Sequence, residues 1–295
     1  MASKNDDRAA TDRPVTGGHR GRRLLSSIEL GDVEAIRDGD LLEDLCSTVD
    51  DRPATSGWTP LMLAAATGHV EITQLLLDAE GDIGQALPIA CALGHVAVAQ
   101  SLIAGGADVS IEGPGGMNAL SLAAQAGAED LIEDLIRAGL PVDSPESSTG
   151  MTALCRAALA GHHGIVAALL DAGASVDHED RQGFTPLLYA ASSAHRLACR
   201  ALLEGGADPN HRSETGPSAL GAAISARAYF RLEGGGFEVR PYDEAELLPI
   251  VDLLLRWGAE VDPEGQELQR AHGLGYASIV KSLSEYSGEP LREAS

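Results

Sequence analysis

Aromatic residues are scarce in this 295-residue chain: three Phe, five Tyr and two Trp. Such a length would ordinarily suggest about two domains. With so few large rings, small side chains and close backbone approach must do most of the packing. Lysine is scarcer still, at two residues against nineteen arginines, and the 21 basic groups face 44 acidic ones for a net charge of −23. So negative a field repels phosphate backbones, which disfavours DNA and RNA and favours solubility and basic partners. The four cysteines, Cys46, Cys91, Cys155 and Cys199, are far apart and form no Cys-x-x-Cys. That spacing excludes a disulfide framework and reads as a reduced, intracellular and cytoplasmic protein. The N-terminus is polar, so no secretory signal is expected. One stretch, 86–107, lacks formal charge, but Pro88, Gly94 and His95 interrupt it. Two short helices are expected there rather than a membrane span.

Glycine and alanine are abundant instead, at 34 and 46 residues, and they recur with a period. The residues that precede each second apolar run, Gly68, Gly94, Gly127, Gly161 and Ala194, are separated by steps of 26, 33, 34 and 33. The segment Gly57-Trp58-Thr59-Pro60-Leu61 with Ala64-Ala65 is answered by Gly116-Met117-Asn118-Ala119-Leu120 with Ala123-Ala124. Gly150-Met151-Thr152-Ala153-Leu154, Gly183-Phe184-Thr185-Pro186-Leu187 and Gly216-Pro217-Ser218-Ala219-Leu220 continue the series. Each is followed by a leucine-rich run that ends in glycine. The unit is a short helix, a turn, a second helix and an extended loop. Thr59 and Thr185 are placed to cap first helices, and Pro60 and Pro186 occupy first-turn positions where a missing N–H costs nothing. Gly81, Gly105, Gly139, Gly173, Gly205 and Gly258 are expected to close second helices in the left-handed conformation.

These motifs resemble the ankyrin repeat, most fully from Gly57 to Leu77 and from Gly183 to Asn210, and the resemblance runs over residues 24 to 285. It implies an all-α solenoid of about eight helix-turn-helix units, with a diverged cap at each end. It also implies that His69, His95, His162 and His195 are structural, each ring tying a loop to a neighbouring unit. Residues 1–23, with a charge of +3 against −26 for the rest, are expected to be a disordered basic tail, and 286–295 a C-terminal tail. Two departures stand out. The third unit follows the second by only 26 residues, leaving no room for a projecting loop at 82–87. The seventh carries an insertion, 227–247, in which alternation on both sides of Gly234-Gly235-Gly236 suggests a small hairpin, although three glycines would equally serve a floppy loop.

No arrangement of nucleophile, base and orienting group is visible, so no catalytic residues are assigned. The glycine-rich segments 113–116 and 234–236 lack a phosphate-loop continuation, and Asp177, Glu179 and Asp180 lack calcium-loop spacing. His162-His163 is adjacent rather than helically spaced for a metal, so no cofactor and no metal are expected.

The resemblance implies that partners lie across the loop tips and first helices. Trp58, Met117, Met151, Phe184 and Pro217 share the register after the motif glycine and would form an apolar ladder suited to a partner groove. Asp143, Asp177 and Asp180 stack behind the tips on an edge that could attract Lys- or Arg-rich ligands. The insertion offers Tyr229, Phe230, Phe237 and Tyr242. The expectation is a monomeric, non-enzymatic scaffold that binds a protein partner, a basic one on the charge argument, with neither nucleic acid nor membrane as a target. Other readings are an acidic inhibitor or immunity-type protein that neutralises a basic enzyme or toxin, an enzyme or enzyme subunit using 227–247, and a purely structural role.

Overall fold

Threonine, asparagine and serine begin the first helices as cap chemistry requires. Thr59 accepts the N–H of Met62 at 3.2 Å, Asn118 that of Ser121 at 2.8 Å, Thr185 that of Leu188 at 3.4 Å and Ser218 that of Gly221 at 3.1 Å. Thr152 departs from this pattern, with its hydroxyl turned to Cys155 Sγ at 3.5 Å. In this computed structural model the described residues are 17–37, 58–212, 216–231, 237–262 and 265–287. They contain sixteen α-helices in eight successive pairs, one 3-10 turn at Pro114–Gly116 and one hairpin. The chain divides into two compact bodies, Met1–Ala86 and Leu87–Ser295.

In the N-terminal body, α1 (Gly17–Leu30) packs on α3 (Pro60–Thr67) and α2 (Val33–Arg37) on α4 (Val70–Asp78). Leu24, Leu25, Ile28 and Ile36 are buried, so the first pair shares a core with the second. Helix α1 begins at Gly17, so the segment expected to be disordered through residue 23 is helical from 17 onward. The link from α4 to the next helix is short, and Thr59 Oγ1 closes on it by donating to the Asp82 carbonyl at 3.0 Å.

The C-terminal body opens with α5 (Ala86–Ala92) and α6 (Val96–Ala104), which divide the charge-free stretch as expected. No helix among the described residues is long and apolar enough to cross a membrane. Then follow α7 (Ala119–Ala126) and α8 (Glu129–Arg137), α9 (Ala153–Ala160) and α10 (His163–Asp171), and α11 (Pro186–Ser192) and α12 (Arg196–Glu204). The seventh pair is α13 (Ala219–Ile224) and α14 (Glu244–Arg256), the eighth α15 (Gln266–Leu274) and α16 (Ala277–Ser287). Two layers result: α7, α9, α11, α13 and α15 stack in sequence, while α6, α8, α10, α12, α14 and α16 stack behind them.

Helices α9, α11 and α13 have a first helix packed on each side, so they are apolar nearly all round. Leu120, Leu154, Leu187 and Leu220 are buried, as are Ala123-Ala124, Ala157-Ala158, Ala190-Ala191 and Ala222-Ala223. Second helices bury one stripe only, as in Leu131, Ile132 and Leu135 of α8, or Ile165, Val166 and Leu169 of α10. Each such leucine contributes about 1.5–3 kcal/mol of burial. The alanines contribute proximity, which is why so few aromatic residues suffice.

The glycines that close second helices need one correction. Gly139, Gly173 and Gly258 take positive φ, but Gly105 and Gly205 have φ −77° and −79°, and their successors Gly106 and Gly206 carry the left-handed turn. Before Gly81 the left-handed residue is Glu80, at φ 56°.

The insertion is a hairpin: β1 (Arg227–Arg231) pairs antiparallel with β2 (Phe237–Pro241). Helix α14 starts earlier than the expected end of the insertion at Leu247. Asp243 and Glu246 form a capping box, and Leu247 is wholly buried.

Candidate partner interface

Three loop tips of the C-terminal body share one construction. A backbone N–H on one side of each turn reaches a carbonyl on the other: Gly113 to Met117 at 2.8 Å, Glu146 to Met151 at 2.9 Å and Asp180 to Phe184 at 3.1 Å. The tips are also bonded to one another. Ser147 N–H donates to the Gly116 carbonyl at 3.2 Å and Arg181 N–H to that of Thr149 at 3.1 Å. Ser148 Oγ donates to the Gly115 carbonyl at 2.6 Å, and the Arg181 guanidinium spans the carbonyls of Ser147 at 2.7 Å and Ser148 at 3.2 Å. Each such bond contributes about 0.5–1.5 kcal/mol net. Together they hold the tips in one arrangement before any partner arrives, which lowers the ordering cost of binding.

A second ladder runs along the loops that leave the second helices. Asp143 accepts the Ser175 N–H at 2.9 and 3.2 Å, and Asp177 accepts the Asp208 N–H at 3.1 and 3.2 Å. Asn210 continues it, accepting the Glu260 N–H at 2.8 Å and donating to the Gly258 carbonyl at 2.9 Å. Beside these, Nε2 of His178 donates to the Gly150 carbonyl at 2.9 Å and Nε2 of His211 to that of Gly183 at 3.2 Å. A carbonyl can only accept, so these bonds fix the proton on Nε2.

Charged groups lie under the fifth and sixth tips. Glu146, 1% exposed, receives a bidentate Arg156 at 2.7 and 2.6 Å and the Thr149 hydroxyl at 2.7 Å. That carboxylate raises the pKa of Arg156. Asp180 Oδ1 accepts the N–H groups of Gln182 and Phe184, while Oδ2 accepts the Tyr189 hydroxyl at 2.5 Å. Burial, reinforced by this bond, pushes the Tyr189 phenol well above its usual range. The Phe184 ring lies 5.6 Å from that of Tyr189, tilted by 36°.

The candidates of the apolar ladder are therefore placed differently. Met117, Phe184 and Pro217 are half-buried in the C-terminal body, and Trp58 is half-buried in the N-terminal one. Met151 is only 4% exposed, at the one of these three tips whose backbone donor, Glu146, also holds an arginine, Arg156. Asp180 is buried and fully engaged, whereas Asp143 and Asp177 keep partly exposed carboxylates while bonding the next repeat. Tyr242 is half-buried; its hydroxyl donates to the Ser193 carbonyl at 3.3 Å and its own carbonyl accepts Tyr276 OH at 2.7 Å. The side chains of Tyr229, Phe230 and Phe237 lie outside the described residues.

The tyrosine contact substitutes for a histidine. His69 packs on Gly31 in the N-terminal body, and His162 packs on Gly127 and His195 on Gly161 in the C-terminal one. The seventh repeat has no histidine there, and Tyr242 reaches back to the preceding turn from the far end of the hairpin. The roles of Arg181, His178, His211 and Arg156 escaped sequence reasoning. The 33-residue offset between His178 and His211, and between Gly150 and Gly183, is the signal that would have revealed the second pair. Among the described residues no group of three or more His, Cys, Asp or Glu is placed to hold a metal ion.

A family model described as ankyrin repeats in three copies matches residues 33–113 and 120–213, more than half of the chain. None of the curated proteins compared matches it.

Proposed function

Since the chain belongs to the ankyrin-repeat family, whose repeats generally mediate protein–protein interactions, we propose that it is a non-enzymatic scaffold. Its partner is a protein held across the tips and first-helix face of the C-terminal body. The observation that carries this reading is the run of bonds joining successive tips through Ser147, Ser148 and Arg181. Core packing does not require such bonds, and they keep Met117 and Phe184 in fixed, partly exposed positions. Trp58 offers the equivalent anchor in the N-terminal body.

The charge of −26 outside the first 23 residues favours a basic partner and disfavours nucleic acid. The partly exposed carboxylates of Asp143 and Asp177 add to that preference. This supports the sharper reading of an acidic inhibitor that occupies the surface of a basic enzyme. Work in the cytoplasm agrees with Cys91, Cys155 and Cys199, which are buried free thiols among the described residues.

The test is affinity capture from native lysate with the wild type, a Trp58→Ala/Phe184→Ala variant and a Met117→Ser variant, each checked for unchanged helicity. A partner held by the wild type and lost by the variants supports the reading. A partner held equally by all three contradicts it. Turnover of a substrate by the purified chain contradicts the non-enzymatic part.

A further inference from the structure

The hairpin of the seventh repeat has one strand edge that its own sequence leaves open and one that it blocks. Arg227 stands opposite Pro241, Tyr229 opposite Val239 and Arg231 opposite Phe237. The phase of the ladder follows from the bond at its base, Tyr242 N–H to the Ala226 carbonyl at 3.5 Å. Bonded and non-bonded pairs alternate along an antiparallel ladder. The bonded pairs are therefore Ala228 with Arg240 and Phe230 with Glu238. The backbone groups of Arg227, Tyr229 and Arg231 fall on the outer edge of β1, and those of Phe237, Val239 and Pro241 on the outer edge of β2. Pro241 has no N–H to give, so the β2 edge is interrupted, which is how strand edges are commonly protected. The β1 edge keeps every donor and acceptor. Among the described residues the sheet contains these two strands alone, and a two-stranded hairpin is marginal by itself.

We propose that the outer edge of β1 takes up an extended segment of a partner protein by strand addition. That segment carries acidic residues opposite Arg227 and Arg231 and a β-branched residue between them, opposite Tyr229. The two arginines of β1 select this occupant locally, on a chain that is otherwise acidic. Pairing β1 with β1 of a second copy about Tyr229 sets Arg227 against Arg231 twice, and like charges directly opposite in a ladder are unfavourable. An acidic, x, β-branched, x, acidic segment turns both encounters into ion pairs, and the exposed Arg227 is available for one of them. Main-chain bonds supply the affinity and the alternate side chains the selectivity. The edge leaves the turn between α13 and α14, at the opposite end of that helix pair from its tip, so it stands apart from the tip and first-helix reading.

The test uses the intact protein and three fluorescein-labelled peptides. The first reads Thr-Glu-Thr-Val-Thr-Glu-Thr, the second has Lys for both Glu, and the third is the first with N-methyl groups on the Glu and Val amides. Saturable binding of the first is expected, about tenfold weaker binding of the second, and none of the third. Amide exchange at Arg227, Tyr229 and Arg231 should slow at least tenfold with the first peptide, while Ala228 and Phe230, already paired, change little. Failure of the first peptide to bind overturns the proposal, as does equal affinity for the second or third. Protection of the same amides that grows with protein concentration alone assigns the edge to a second copy and overturns it too.

Discussion

The imidazole of His195 lies so close over Gly161 that a Cβ added to that glycine would stand 2.6 Å from Nδ1. Gly161 also has φ 79°, so a side chain there meets both a backbone penalty and a clash. Gly161→Ala is expected to cost about 2–4 kcal/mol, read as a lowered urea midpoint with an unchanged slope. Ala194 holds the matching position one repeat later at φ 58°, and the seventh repeat brings Tyr242 rather than a histidine to that turn. Ala194→Gly should be neutral or stabilise by up to about 1 kcal/mol, because relief of the left-handed strain offsets the added chain entropy. Equal losses in both variants would contradict the packing argument.

Asp177 accepts the Asp208 N–H of the next repeat. Asp177→Ala leaves that donor unpaired and is expected to cost about 1–2 kcal/mol. Exchange at the Asp208 amide should rise in that variant, while Asp177→Asn, which keeps one acceptor oxygen, should lie between. Unchanged exchange at Asp208 would assign the carboxylate to solvent alone.

Ser121 Oγ is the buried side-chain oxygen without a hydrogen-bond partner among the described residues. Ser121→Ala removes an unsatisfied group from the first turn of α7 and should raise stability by about 1 kcal/mol. A fall in the thermal midpoint would mean that the hydroxyl has a partner, such as a bound water.

Burial pushes the thiols of Cys91 and Cys199 up to about 12 from an ordinary 9, and raises that of Cys155. The folded state therefore holds these protons where the unfolded chain releases them. This contribution is fully present below pH 9 and declines as pH rises from 9 towards 12. In a Cys46→Ser background, disulfide reagents at pH 8 should react only at the rate of unfolding. Reaction within the mixing time under native conditions would contradict the burial.

The repeat register, the caps at Thr59 and Thr185, the eight helix pairs and the hairpin were legible because each follows from local chemistry or periodicity. The contacts between repeats were not. Met117 and Met151 hold the same register, yet Met151 is buried and Met117 half-buried, and the Glu146–Arg156 pair of the fifth tip spans a loop and a helix. Asp143 and Asp177 look like a solvated acidic edge until the next repeat is stacked beside them and its backbone N–H groups arrive. The start of α14 was misread because the acidic run 243–246 looks like loop until Asp243 and Glu246 are seen to cap a helix.

Hydrogen exchange of the purified chain with and without its captured partner tests the central claim most directly. Protection on binding is expected at the tips, residues 147–151 and 181–184, and along α9 and α11, with α10 and α12 unchanged. Protection confined to the second-helix layer, or absent from the tips, would contradict it.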